Sequence, residues 1–326
     1  YMIASYLEKA YELESVSNYR KKSISQKIRR DLLKTYILYP DQTQTINKLI
    51  SEFNSLTNKK YKKIDDIFHY SYKNDFSGLL SSKCPFNKES NNPSNIAKYI
   101  FDFFKKINNN NLIFFLHGSQ ADSMTSNYSD IDLSVFVKKS FLNDLTQTRA
   151  DINALNNFIR KYDLDSHHAI FLNFDDDKYY YPESFMPLSV LKKSLTNIGN
   201  NKIYFQTRYS YDLTLDSFYN LSNHVLKLTR DLSDFNSNNL KIILSEYFMI
   251  IILYEQFSND HFKDKKTIFL EILNNKDKIK KLSAFQTCSN IRKHWPMQNN
   301  LNNFGVSKFF IKNIITDVMY LNEEIK

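Results

Sequence analysis

Four glycines, Gly78, Gly118, Gly199 and Gly305, are all that this 326-residue chain contains, and their scarcity limits it more tightly than any other feature. Glycine supplies the positive-φ positions and the close backbone approaches on which phosphate-cradling loops depend. No two of the four stand near enough for a dinucleotide-binding GxGxxG, a Walker phosphate loop, a kinase glycine loop or a GxSxG nucleophile elbow. Cysteine is scarcer still. Cys84 and Cys288 make no CxxC pair and the seven histidines make no HExxH, so zinc sites of those types and a disulfide framework are excluded. The rest of the chain is well able to fold: 42% of residues are hydrophobic and 15% aromatic, too apolar for disorder. At about 150 residues per domain the length suggests roughly two domains.

Helical periodicity dominates the first third. Ile24, Ile28, Leu32, Tyr36 and Tyr39 recur at three- and four-residue steps until Pro40, and Ile46, Leu49, Ile50, Phe53 and Leu56 form a second stripe. Residues 71–93, with Gly78, Pro85, Pro93 and many Ser and Asn, read as an irregular connection. The pattern then becomes helix, strand, strand, helix, strand. Ser94 is placed to cap a helix whose stripe is Ile96, Ile100, Phe103, Phe104 and Ile107. Leu112–Leu116 is a continuous apolar run, Asp130–Val137 alternates, a helix is expected over 143–161, and His167–Phe174 reads as a third strand. From Leu188 onward only helical periodicity is visible. Its most apolar run, Tyr247–Tyr254, is bracketed by Ser245, Glu246 and Glu255, which suits a central buried helix. No stretch nears the roughly 18 apolar residues that span a bilayer, and no basic-then-apolar leader follows Tyr1. A soluble, cytoplasmic protein without membrane contact is expected. The expected class is α+β: a helical N-terminal segment over 1–75, a core with a small mixed β-sheet over 76–182 and a helical domain over 183–326.

The stretch from Leu112 to Val137, LIFFLHGSQADSMTSNYSDIDLSVFV, carries the chemistry. Residues i and i+2 of a strand project from one face, so Asp130 and Asp132 aim two carboxylates at one point while Ile131 and Leu133 enter the core. Hard oxygen ligands on a rigid strand suit Mg²⁺ carrying a nucleoside triphosphate. A tight turn at Gly118-Ser119 would bring backbone N–H groups and a hydroxyl to phosphate oxygens, where a Cβ at 118 would obstruct. Without Gly118-Ser119, the two aspartates would read as a solvated acidic turn.

An apolar strand, Gly-Ser, a ten-residue gap (120–129) and then Asp-Ile-Asp-Leu resemble the signature of the DNA polymerase β-like nucleotidyltransferase superfamily. The resemblance covers roughly residues 94–180. It implies a metal-dependent enzyme that transfers a nucleoside monophosphate from NTP to an acceptor hydroxyl with release of pyrophosphate. It implies Asp130 and Asp132 as metal ligands and catalytic residues for Mg²⁺ or Mn²⁺, and Gly118 and Ser119 as the nucleotide-binding turn. The acceptor, a small molecule, a protein or an RNA, stays open. The chain departs from the pattern at the third carboxylate, which the family sets inside the next strand. That strand reads His167-His168-Ala169-Ile170-Phe171, with Asp163 and Asp165 before it and Asp175 after. A neutral imidazole from His167 or His168 could serve as general base in its place. Loss of the third acid would instead leave a degenerate module that binds nucleotide or RNA without turnover. His117, ending an apolar strand, reads as a hydrogen-bonded structural histidine, and Asp175–Asp177 as a solvated turn. The net charge of +9 and the lysine-rich stretches at 20–34, 59–63 and 276–281 allow contact with RNA or another polyanion, although solvated helix faces account for them as well.

Overall fold

The computed structural model describes residues 18–70, 80–85, 92–121, 129–162, 170–180, 188–198, 203–208, 210–235, 239–258, 265–294 and 308–325. The chain is α+β. Its described residues form two compact units, one from Asn18 to Arg208 and the other from Ser210 onward.

The first unit is built on a mixed four-stranded sheet. Its strands are β2 (Leu112–His117), β3 (Asp132–Val137), β4 (Phe171–Phe174) and β5 (Leu195–Thr196), in the order β4-β3-β2-β5. A separate hydrogen-bonded pair joins β1 (Leu80–Pro85) to β6 (Tyr204–Arg208). β2 runs antiparallel to β3 and β5, whereas β4 runs parallel to β3. Parallel neighbours need a crossover, and helix α5 (Leu145–Arg160) provides it. The order helix, strand, strand, helix, strand therefore stands as the alternation of apolar residues implied. Leu133, Val135 and Val137, with Leu112, Phe114 and Leu116, face one core together with α1 (Asn18–Leu38), α2 (Thr43–Thr57), α3 (Ile64–His69), α4 (Asn95–Lys106) and α5. Phe115 and Phe136 turn to the opposite face and pack with Phe205, Ile198 and, from α6 (Leu188–Lys192), Leu188 and Leu191. Ser94 caps α4 through a hydrogen bond to its Oγ from the Ala97 N–H at 3.0 Å. The buried stripe of α4 is Ala97, Ile100 and Phe104; Ile96, expected on it, is 42% exposed.

Two expectations are corrected. Residues 80–85 form a strand within the stretch read as an irregular connection, and 195–196 and 204–208 are strands in the region where only helical periodicity was visible, the helix that begins at Leu188 ending at Lys192. These strands are short and pair with segments far away in sequence, so tertiary context rather than local periodicity decides them. The acidic turn is the second correction. Asp177 is 1% exposed and accepts hydrogen bonds from Gln26 Nε2 and the Phe174 N–H, both at 3.0 Å. Asp176 pairs with Arg29 at 3.0 Å and Lys139 at 3.2 Å. Arg29 is wholly buried: it donates to Ile67 O at 3.2 Å and Phe68 O at 2.7 Å, with its guanidinium 3.9 Å from the Phe174 ring centre. The turn after β4 thus anchors α1 and α3 to the sheet. Burial pushes the Asp177 carboxyl above the usual carboxylate range, with Arg30 opposing the shift.

The second unit is helical: α7 (Ser210–Ser233), α8 (Leu240–Ser258), α9 (Lys265–Asn274), α10 (Lys276–Lys281), α11 (Phe285–Lys293) and α12 (Lys308–Ile325). α8 is the central helix its apolar run implied, with Tyr247, Phe248 and Ile250–Leu253 all buried. Glu255 at its end is buried against Lys278 at 2.6 Å. Asp317 of α12 accepts from Tyr247 Oη at 2.5 Å, Ser283 Oγ at 3.0 Å and the Ala284 N–H at 2.9 Å, tying three helices at one point. Among the described residues no helix is long and apolar enough to cross a membrane.

Candidate functional site

β2 ends at His117, and the chain turns through a short 3-10 segment, Gly118–Gln120, before returning as β3. In the register of the two strands His117 faces Asp132, so the turn lies directly against the start of β3. Gly118 has φ +71°, a left-handed conformation that side chains disfavour. A Cβ there would also stand 2.4 Å from Asp132 Oδ2 and 3.3 Å from its Cγ. Two independent constraints therefore act against a side chain at 118, and the second arises from the carboxylate itself, which a Cβ would displace. Asp132 opens β3, with Asp130 two residues ahead in the approach. Ile131 between them is buried in the same cluster as Leu133, while both aspartates are half-buried, so the alternation of the strand extends back through the motif. Ser119 is half-buried within the turn.

Gln120 was not singled out by the sequence, yet it holds this arrangement together. Only 4% exposed, it accepts at its carbonyl from the Ser94 N–H at 2.9 Å and at Oε1 from Ser94 Oγ at 2.7 Å. Its Nε2 donates to Ser129 O at 3.3 Å, next to Asp130. One side chain thus fastens the start of α4, the glycine turn and the approach to the aspartates. No sequence signal marks it beyond its place after Gly-Ser, because its partners lie 26 and 9 residues away.

His117 is a structural histidine, 5% exposed, with Nε2 3.0 Å from Ser134 Oγ and its ring stacked on Phe171. Burial pushes its pKa down to about 3, so the imidazole is neutral at any physiological pH. Ser134 follows Asp132 on the same side of β3. The imidazole and that hydroxyl therefore form a polar pair beside the first carboxylate of the strand.

His167 and His168, with Asp163 and Asp165, lie outside the described residues, and the described part of β4 starts at Phe171. Of the acids beyond β4, Asp175 is held by Lys178 at 2.8 Å and Asp176 by Arg29, so both already serve the fold. Among the described residues no group of three His, Cys, Asp or Glu side chains converges. Among the described residues Asp130 and Asp132 are the candidate donor pair, and two carboxylates suit a hard cation: Mg²⁺ commonly takes one or two carboxylates and completes its octahedron with substrate phosphates and water. Of the lysine-rich stretches, Lys59, Lys60, Lys62 and Lys63 are exposed, as are Lys276, Lys280 and Lys281, whereas Arg29 in the first stretch is buried. Comparison of the chain with known protein families, with characterised proteins and with solved structures finds no match.

Proposed function

We propose that the chain is a metal-dependent nucleotidyltransferase, moving a nucleoside monophosphate from NTP to an acceptor hydroxyl and releasing pyrophosphate. The observation that carries this reading is the interlock of Gly118 and Asp132. A Cβ in the turn that would cradle phosphates would displace the carboxylate that would hold the metal. A solvated acidic turn places no such demand on a residue fourteen positions away. Asp132 stands at the start of β3, paired across from His117, with Asp130 two residues ahead of it in the approach.

Asp130 and Asp132 would hold Mg²⁺ or Mn²⁺, which supplies charge neutralisation at the α-phosphate and the leaving pyrophosphate. Ser119 and the N–H groups of the turn bind phosphate oxygens, and Gln120 keeps turn and carboxylates in register. The neutral His117, hydrogen-bonded to Ser134, keeps a second positive charge away from the metal. His167 or His168 takes the proton of the acceptor hydroxyl. A second reading, a nucleotide-binding module without turnover, is favoured by the engagement of Asp175 and Asp176 in structural ion pairs. Pyrophosphate release from each of the four NTPs with Mg²⁺ or Mn²⁺, in the presence of cell extract, separates the two. Release by the native chain that disappears in Asp130→Asn/Asp132→Asn supports the transferase. Mg²⁺-dependent NTP binding with no release supports the module, and no metal-dependent binding overturns both.

A further inference from the structure

An aromatic cluster on α4 and α5 runs from the core, against which Phe103 and Phe158 pack, out to the surface at Tyr99 and Tyr162. Phe103 and Phe158 stack face to face, 4.0 Å between ring centres and 3° between planes. Tyr99 sits 5.6 Å from Phe158 and 5.7 Å from Tyr162, whose own ring is 5.3 Å from Phe158. The inner pair is half-buried, but Tyr99 is 56% exposed and Tyr162 42% exposed. The two exposed rings meet edge to face, 73° between planes. The inner rings serve the core, while the outer two leave aromatic surface open to water.

Among the described residues beside it, cations outnumber acids. Lys98, Lys106, Arg160 and Lys161 are exposed on the same helix segments, and the single acid of α4, Asp102, is already paired with Lys105 at 3.2 Å. Rigid exposed rings set among cations are what single-stranded nucleic acid requires: bases stack on the rings and the backbone follows the cations. An acidic protein surface would use the cations and leave the rings idle.

The helices that carry the cluster also lead to the end of the sheet at which β3 begins with Asp132. α5 joins the parallel strands β3 and β4, so its C-terminal end, with Phe158 and Tyr162, returns to the side where both strands begin. α4 starts at Ser94, bonded to Gln120 of the glycine turn, and Tyr99 follows little more than one helical turn later.

We propose that Tyr99, Tyr162 and the flanking Lys98 and Lys161 form a binding platform for single-stranded nucleic acid. Binding stands on the platform alone; that the bound strand is also the acceptor, offering its terminal hydroxyl, rests on the nucleotidyltransferase reading. Fluorescence anisotropy with labelled twelve-nucleotide RNA and DNA strands tests it, using the full chain at about 0.1 M salt. Tyr99→Leu/Tyr162→Leu retains apolar packing at both exposed sites while removing the π faces. It should weaken binding at least tenfold, and Lys98→Gln/Lys161→Gln should weaken it further and flatten its salt dependence. Binding that the leucine variant leaves unchanged, or binding equalled by heparin, overturns the platform and leaves a plain polyanion surface; a native chain that binds neither strand overturns it outright. Asp130→Asn/Asp132→Asn should bind the strands as the native chain does. Ring-dependent binding without pyrophosphate release would therefore refute the transferase reading while retaining the platform, and release without ring-dependent binding would do the reverse.

Discussion

Acidification should destabilise the first unit between about pH 6.5 and 3, and His117→Phe should remove much of that loss. The folded imidazole has its pKa pushed from 6.5 to about 3 by burial. Above pH 6.5 neither state is protonated and the group is neutral in its effect. Between 6.5 and 3 the unfolded chain takes up a proton that the folded chain refuses, so stability falls as pH falls; below 3 both states are protonated and the loss is complete. The size of the shift corresponds to about 3 to 5 kcal/mol. Asp177, whose carboxyl is raised by burial, works in the opposite direction, because the folded form gains its proton first as pH drops. The contribution of His117 is therefore the difference between native and variant. Phenylalanine keeps the ring against Phe171 and gives up the contact to Ser134, at about 1 kcal/mol near neutral pH. Hydrogen exchange at β2 and β3 amides, with chelator present, reads this unit separately from the helical one. An equal acid dependence in His117→Phe would contradict the assignment.

Gly118→Ala should leave the chain folded and remove its proposed activity. The left-handed backbone makes a side chain cost about 1 to 2 kcal/mol, a loss a unit with this much buried core survives. The new methyl meets Asp132 Oδ2, the end of a side chain that can rotate, so the carboxylate gives way and the sheet does not. A misplacement near 1 Å at a metal-holding group lowers turnover on the order of a hundredfold. We expect pyrophosphate release in Gly118→Ala to approach that of Asp132→Asn, with only a modest drop in melting temperature. Unchanged turnover would mean that Asp132 takes no part in the reaction.

The same residues show what local sequence conveys. The cap at Ser94, the alternation from Ile131 to Val137 and the turn at Gly118 were legible because each expresses a short-range rule: a hydroxyl ahead of a stripe, a period of two, a residue without Cβ. What the glycine makes room for was not legible, since the contact with Asp132 exists only once β2 and β3 have paired. Asp175–Asp177 read as a solvated turn for a related reason. Three adjacent acids look hydrophilic by composition, and the partners that draw two of them inward, Gln26 and Arg29, lie 151 and 147 residues earlier. Removing one side of such a buried pair costs about 3 to 5 kcal/mol, so these contacts matter although no local pattern announces them. β1 and β6 escaped notice because residues 86–203 separate strands that have little alternation of their own. Gln120 escaped because amide side chains bind whatever the fold brings to them.

The location of the metal tests the central claim most directly. Crystals grown with Mn²⁺ and a non-hydrolysable NTP analogue, examined by anomalous scattering, would place the ion without reference to activity. The account expects a manganese peak about 2.1 Å from oxygens of both Asp130 and Asp132, with the triphosphate against residues 118–120. Manganese bound elsewhere, or nucleotide bound away from the glycine turn, would contradict it.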